Sequence, residues 1–355
     1  MAIEVATAAD LNNVRNNLSG DYIQTADIDL AGWNWNSIGG WNWPADHPDH
    51  FRGTYNGNGF VIYNLTRNLF LDTEGDVQNR GGLFCVVGTG GRVTNTHLRN
   101  IDFDITGMYG SQNGGIAAAF FGASAHNCSV TGTIVAERVG AGMLAASLTD
   151  GSISRCWVGG SVTAGTNYVS SYVGGMVGTL SGAAYLTNCY SRADVTARTI
   201  IGGLVGQAGG SGNIEHCYST GLITSTHHTE YNGAGGLTGK STIDGTYRGV
   251  PVINSYWDYQ TSGATGGGGT PRSTAEMTYP ENFTTTFIDW DFTNIWTHDP
   301  TYTINDGYPP FGDGFNIWVY KSGAWQPVTD IWAHKGGAWQ PVSSVDVNKD
   351  GWKPI

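Results

Sequence analysis

The residues best equipped for chemistry lie together near the start of the chain. Trp33, Trp35, Trp41 and Trp43 are followed by the run Asp46-His47-Pro48-Asp49-His50. Flat aromatic rings beside carboxylates and amides hold sugar rings, by CH–π stacking on the face and hydrogen bonds at the rim. Trp41, Trp43, Asp46, His47, Asp49 and His50 are therefore the candidate glycan-binding residues. The two histidines and two aspartates could also serve a divalent metal. A solvent loop with unpaired histidines accounts for the same run, and no metal is expected. A second pair, His227-His228 with Glu230 and Tyr231 after it, lengthens one of the repeats described below and hints at a shared binding edge.

Other reactive types have plainer explanations. Asp27 and Asp29, Asp102 and Asp104, and Asp289 and Asp291 each share a strand face. Glycoside cleavage needs two carboxylates flanking one bond, and no such pair recurs at adjacent repeat positions around a groove. No catalytic residue is assigned. Asp346, Asn348, Asp350 and Gly351 match the first half of a calcium loop, but the sequence stops at Ile355, before the twelfth-position acid. A turn is expected there, and no cofactor. The five cysteines are an odd number without CxxC spacing, so they are expected as buried thiols rather than disulfides or metal ligands.

The elements that must position these residues are repeats. Gly81-Gly82-Leu83-Phe84, Gly114-Gly115-Ile116-Ala117, Gly140-Ala141-Gly142-Met143, Gly174-Gly175-Met176-Val177, Gly202-Gly203-Leu204-Val205 and Gly235-Gly236-Leu237-Thr238 stand at spacings of 33, 26, 34, 28 and 33 residues. Such a period marks a stacked-repeat architecture. A second column follows in step, with Cys128, Cys156, Cys189 and Cys217 at one repeat position and Thr96 and Ser255 in their place at the two ends. A third column carries Ile101-Asp102-Phe103, Thr133-Ile134-Val135, Ser161-Val162-Thr163, Asp194-Val195-Thr196 and Leu222-Ile223-Thr224. The reading is roughly three short strands per coil, with the Cys position at a strand centre. Stacked coils place one repeat position in an interior ladder, where a small apolar Cys packs without a void. The glycines mark corners that need either positive φ or close approach of neighbouring coils. Helical spacing occurs only over 8–18, with Thr7 as N-cap.

Composition narrows the function. The net charge is −12 and only 13% of residues are charged, with no basic cluster, which argues against nucleic acid. No segment approaches a membrane span, so no membrane insertion is expected. The first residues, Met1-Ala2-Ile3-Glu4-Val5, lack the basic and apolar regions of a secretory signal.

The repeats resemble the GLUG-type β-solenoid of bacterial and phage surface proteins, named for its Gly-Leu-(any)-Gly signature. The motif stands here as Gly203-Leu204-Val205-Gly206, Gly175-Met176-Val177-Gly178 and Gly236-Leu237-Thr238-Gly239, while Gly142-Met143-Leu144-Ala145 and Gly115-Ile116-Ala117-Ala118 depart from it. Asp27-Ile28-Asp29-Leu30 and the run from Phe51 to Gly59 match the group's usual start. Tyr256-Trp257-Asp258, Ser273-Thr274-Ala275-Glu276-Met277, Trp290-Asp291-Phe292 and Gly307-Tyr308-Pro309 match its end. One of Trp33 and Trp35 has a counterpart there and is expected in the core. The resemblance spans about residues 3–311 and implies an all-β fold, a right-handed parallel β-helix or β-solenoid with a short N-terminal helix and cap. It brings no catalytic residues with it.

The C-terminus differs. Residues 317–328 and 331–342 are near copies, and 345–354 is a degraded third. Each reads as a β-hairpin around a Ser-Gly, Gly-Gly or Asp-Gly turn. Tandem hairpins of this type look like those of bacteriophage tail and virion proteins, which implies a docking module carried by Trp318, Trp325, Trp332, Trp339 and Trp352. The expected organisation is a cap and first coils over 1–72, solenoid repeats over 73–262, a C-terminal cap over 263–313 and hairpins over 314–355. The expected function is a non-enzymatic phage tail or fibre-type protein on the virion. Its partners would be host cell-surface polysaccharide or another receptor, and other virion proteins. A homotrimer and a lone solenoid both fit. The alternatives are an extracellular bacterial adhesin and a polysaccharide depolymerase.

Overall fold

Short β-branched runs broken by Gly, Asn and Ser cannot bury a face locally; stacking successive copies is what closes a core. The computed structural model of the chain describes residues 2–42, 46–67, 80–105, 112–136, 139–164, 171–226, 233–239, 242–243, 246–247 and 249–312, together with four strands between 318 and 341. It is a parallel β-solenoid. One coil runs through Gln112–Asn113, Ala117–Phe121, Ser124–His126 and Ser129–Ala136. We number the four faces they begin I, II, III and IV. Every face is a ladder of parallel strands in coil order, with, among the described residues, six strands on face I, five on II, nine on III and eleven on IV.

The coil thus has four strands rather than the expected three, and the Cys column lies at a corner. The reason is local. The residue before each inward Cys, Thr or Ser adopts left-handed backbone, with φ of 47° at Asn95, 51° at Asn127, Arg155 and Asn188, 50° at His216 and 41° at Asn254. Asn tolerates this conformation best among residues with a side chain, so the chain turns here and faces III and IV separate. The inward residue that follows then satisfies the corner's backbone. Cys128, Cys156, Cys189 and Cys217 each donate to the carbonyl two residues back, at 3.2–3.3 Å. Thr96 and Ser255 do the same with hydroxyls at 2.9 and 2.8 Å. Cys156 Sγ also accepts the Cys128 N–H at 3.3 Å, and Ser255 Oγ the Cys217 N–H at 3.0 Å. A small inward donor–acceptor is what the corner needs, which explains why Cys, Thr and Ser interchange. All five cysteines are free and buried.

Close approach explains the glycine doublets, and Gly81 alone of them also has positive φ, at +149°. A Cβ at Gly175 would lie 2.1 Å from the Gly203 carbonyl oxygen, and one at Gly203 would lie 2.1 Å from that of Gly236. At the N-terminal end, Thr7 and Asp10 form a capping box for the helix Ala8–Asn13, followed by a 3-10 turn over Val14–Asn16. Leu11 and Val14 are wholly buried and seal the first coil. Trp35 is the core tryptophan at 1% exposure, whereas Trp33 is exposed. In the C-terminal copies, Trp318–Lys321 pairs antiparallel with Ala324–Pro327, and Trp332–Lys335 with Ala338–Pro341.

Candidate functional site

The tryptophan-rich segment is an insertion into the first coil of face II. Ile38 bridges Phe84 and Phe51 bridges Val87, so residues 39–50 occupy the place that Cys85 and Val86 fill one coil later. Both ends are anchored: Ile38 and Phe51 are wholly buried, and the Phe51 ring lies 4.6 Å from that of Phe84. The loop is closed by the Gly40 N–H on the Asp49 carbonyl at 2.8 Å and by the Asn42 amide on the Asp49 carboxylate at 2.7 Å.

Of the six candidate glycan residues, five are described, and Trp43 lies outside the described residues. Trp41 is not a free platform. Its ring packs edge-on to Phe121 at 5.9 Å over the buried Cys85, Val86 and Ala119, and the Arg80 guanidinium sits 4.6 Å from its centroid. This is the packing that a partly apolar outer face demands, and a cation over an indole adds to it. His50 is wholly buried, and its Nε2 lies 2.7 Å from the Asn42 carbonyl, so that nitrogen carries the proton. It holds the loop and does not face solvent. His47 Nδ1 lies 3.3 Å from the Asp49 N–H. Asp46, Asp49 and Asn42 are exposed around this core and form a polar rim. The arrangement can hydrogen-bond hydroxyls at the rim, with little bare aromatic face for stacking.

Cys85 lies beneath this loop beside Arg67 and Arg80. Burial pushes its thiol up to about 11 despite the two cations, which leaves it unreactive. Burial also lowers Arg67 to about 10, with Cys85 acting in the opposite sense. Among the described residues no group of three His, Cys, Asp or Glu is placed to hold a metal. Nor is any described helix long and apolar enough to cross a membrane. The pair His227-His228 and the calcium-like run from Asp346 to Gly351 lie outside the described residues, as does Trp352. Trp318, Trp325, Trp332 and Trp339 fall on the hairpin strands, with Tyr320 opposite Trp325 and His334 opposite Trp339.

Three of the paired carboxylates are occupied by hydrogen bonds from nearby groups. Asp27 accepts the Val61 N–H at 2.8 Å. Asp29 is held below the ordinary carboxylate range by the Asn64 amide and the Ala31 N–H, and Asp291 by the Asn294 side chain and backbone and the Thr293 N–H. A general acid needs a shift in the other direction.

Sequence reasoning missed the most extensive aromatic assembly. Trp157, Tyr190, Tyr218 and Tyr256 occupy one register column on the outside of face IV. The first three stack nearly parallel, at 5.8 and 5.0 Å with interplanar angles of 6° and 5°. Residues 273–312 fold along this flank as a strap, laying Phe287, Trp290, Trp296 and Tyr308 onto the column. The corner residues bind it. Asn188 Oδ1 accepts the Trp296 indole N–H at 3.2 Å, and the Asn254 carbonyl that of Trp290 at 2.9 Å. Arg155 and His216, the two corner residues that are not Asn, reach the Asn294 and Gly312 carbonyls and the Trp290 ring respectively. The available signals were the aromatic spacing at 157, 190, 218 and 256 and the capping box from Ser273 to Glu276 that starts the strap.

Four parallel ladders, an inward hydrogen-bonding corner and glycine-only coil contacts define a β-solenoid that carries the GLUG motif. The motif is matched over residues 197–226, the segment that contains Gly202-Gly203-Leu204. Over 138 residues, 37% of this chain, the sequence is 32% identical to halomucin of Haloquadratum walsbyi, of which it spans about 1%. The fold is similar to a Bacteroides ovatus protein provisionally called an immunoglobulin A1 protease. The TM-score is 0.59 and the identity 21%, covering 87% of this chain and 92% of that one. An IgA1 protease structure is similar at a TM-score of 0.54 and 18% identity, covering 71% of this chain and 19% of that one. These two likenesses show the β-helix fold alone.

Proposed function

We propose that this chain is a surface or extracellular β-solenoid that works by attachment rather than by catalysis. The observation that carries this reading is the distribution of polar, solvent-facing side chains along a stack whose core is largely apolar. The GLUG motif and the stretch shared with halomucin support an extracellular setting. The hydrogen-bonded, acid-shifted carboxylates Asp29 and Asp291 favour binding over glycan cleavage. Attachment would use the rim of the 39–50 loop, with Asp46, His47 and Asp49 taking sugar hydroxyls. Protease shaving of intact source cells or particles tests the location. Release of solenoid peptides before lysis is expected, and protection until lysis would contradict the reading.

A second reading is a virion protein of the tail or fibre type, with host-surface glycan and other virion subunits as partners. It rests on the two antiparallel hairpins, in which Trp318, Trp325, Trp332 and Trp339 would dock neighbouring subunits. Mass spectrometry of gradient-purified particles tests it: stoichiometric peptides of this chain are expected, and their absence would leave the cell-surface reading alone.

A further inference from the structure

Face III carries its own groove, away from the 39–50 loop. Its outward column is Arg92, Ser124, Ser152, Tyr185 and Asn213, in strict register from coil to coil. Beside the first four of these lies an open groove of about 340 Å³, running from Gly90 to Tyr185. Its floor consists of turns made mostly of glycine and alanine. Gly122 has φ +58°, and a Cβ at Gly151 would lie 2.3 Å from the Ala123 carbonyl oxygen. Asp150, fixed by the Ala183 N–H at 2.8 Å, stands on the rim. Tyr185 is 44% exposed at one end and Arg92 is exposed at the other.

We propose that this groove binds an extended, neutral polysaccharide, with about one sugar per coil. Three observations carry this. The coils rise about 4.8 Å each, close to the length of one pyranose in an extended chain, so each sugar meets the same register position. That position offers a hydrogen-bonding side chain on every coil, and an exposed aromatic at Tyr185 on which a sugar face can stack. The groove holds one cation, Arg92, and one anion, Asp150, so it favours neither a polyanion nor a polycation. The proposal rests on the attachment reading only for where its ligand comes from.

Native affinity electrophoresis of the full chain tests it, with gels containing hydroxyethyl cellulose, galactomannan or, as an acidic control, polygalacturonate. Retardation by at least one neutral polymer is expected. Tyr185→Ala should weaken it about tenfold, the loss of one aromatic contact, and Ser124→Trp, which fills the groove, should abolish it. Ile304→Ala, an exposed position on the strap, should bind as the parent does. Both groove positions face outward, and unchanged thermal unfolding would verify the fold. No retardation in either neutral polymer, stronger retardation by polygalacturonate, or parent-like binding by both groove variants would overturn the proposal. Release of solenoid peptides from intact cells in the same preparation would show that the surface reading stands even then.

Discussion

Faces III and IV are built from the same stacked strands and meet at the same corner, yet one is covered and the other is bare. Their outward columns account for the difference. On face IV the column reads Trp157, Tyr190, Tyr218 and Tyr256, and leaving such rings in water would forgo about 1.5–3 kcal/mol of burial for each large side chain. The strap follows from that column. On face III the outward column carries Ser124 and Ser152, which stay hydrated at little cost, and Tyr185 is its one aromatic. A solenoid can therefore commit one flank to stability and leave another to recognition without altering its coil.

The comparison can be broken at several points. The largest effect should come from what both faces share: Gly175→Val would drive a side chain into the Gly203 carbonyl and cost about 4 kcal/mol or more, read as loss of the cooperative thermal transition. Next is the strap. Trp290→Ala removes a ring 94% out of water that touches Phe287 at 4.5 Å and Trp296 at 4.4 Å. It should cost about 3–5 kcal/mol and open residues 282–312 to limited proteolysis while the solenoid's far-ultraviolet spectrum persists. Loss of both together would mean that strap and coils are one unit.

Acid should act on the same segment. Burial works to raise the Asp299 carboxyl, but the N–H groups of Asn305, Gly307, Thr303 and Ile304 outweigh it, and the net shift is downward. A carboxylate depressed in the folded state stabilises fully above its unfolded value, about 3.9. That stability is lost as the pH falls through the lower folded value. Proteolytic opening of the strap is therefore expected as the pH drops below about 4, and Asp299→Asn should remove most of the dependence. A smaller effect is expected at Arg192, which pairs with the exposed Asp306 and with Asn305. Arg192→Ala should cost about 1 kcal/mol or less, shrinking with added salt.

How much of this was legible depends on whether a signal repeats. The glycine doublets and the Cys column were legible because stacking imposes one demand on every coil. The corner was misread because Asn127-Cys128 and Asn188-Cys189 sit inside short alternating runs and look like strand centres; the left-handed Asn is what shows that the chain turns. The strap was illegible because Trp290 and Trp296 meet Asn254 and Asn188 across the chain, without any period. The binding residues were half legible. Tryptophans and histidines between 33 and 50 drew attention by type, yet Trp41 and His50 are held by Arg80 and Asn42 in packing that composition does not reveal. Tyr185 and Arg92 carried no signal until register placed them on one face.

Tyrosine footprinting, by nitration followed by peptide mass spectrometry, tests the contrast between the faces most directly. Tyr185 is 44% exposed, whereas Tyr190 is 5% and Tyr218 0% exposed. The structure predicts rapid modification of Tyr185 and protection of Tyr190 and Tyr218 in the folded chain, with both becoming reactive in Trp290→Ala. Modification of Tyr218 as fast as Tyr185 in the unaltered protein would contradict the account.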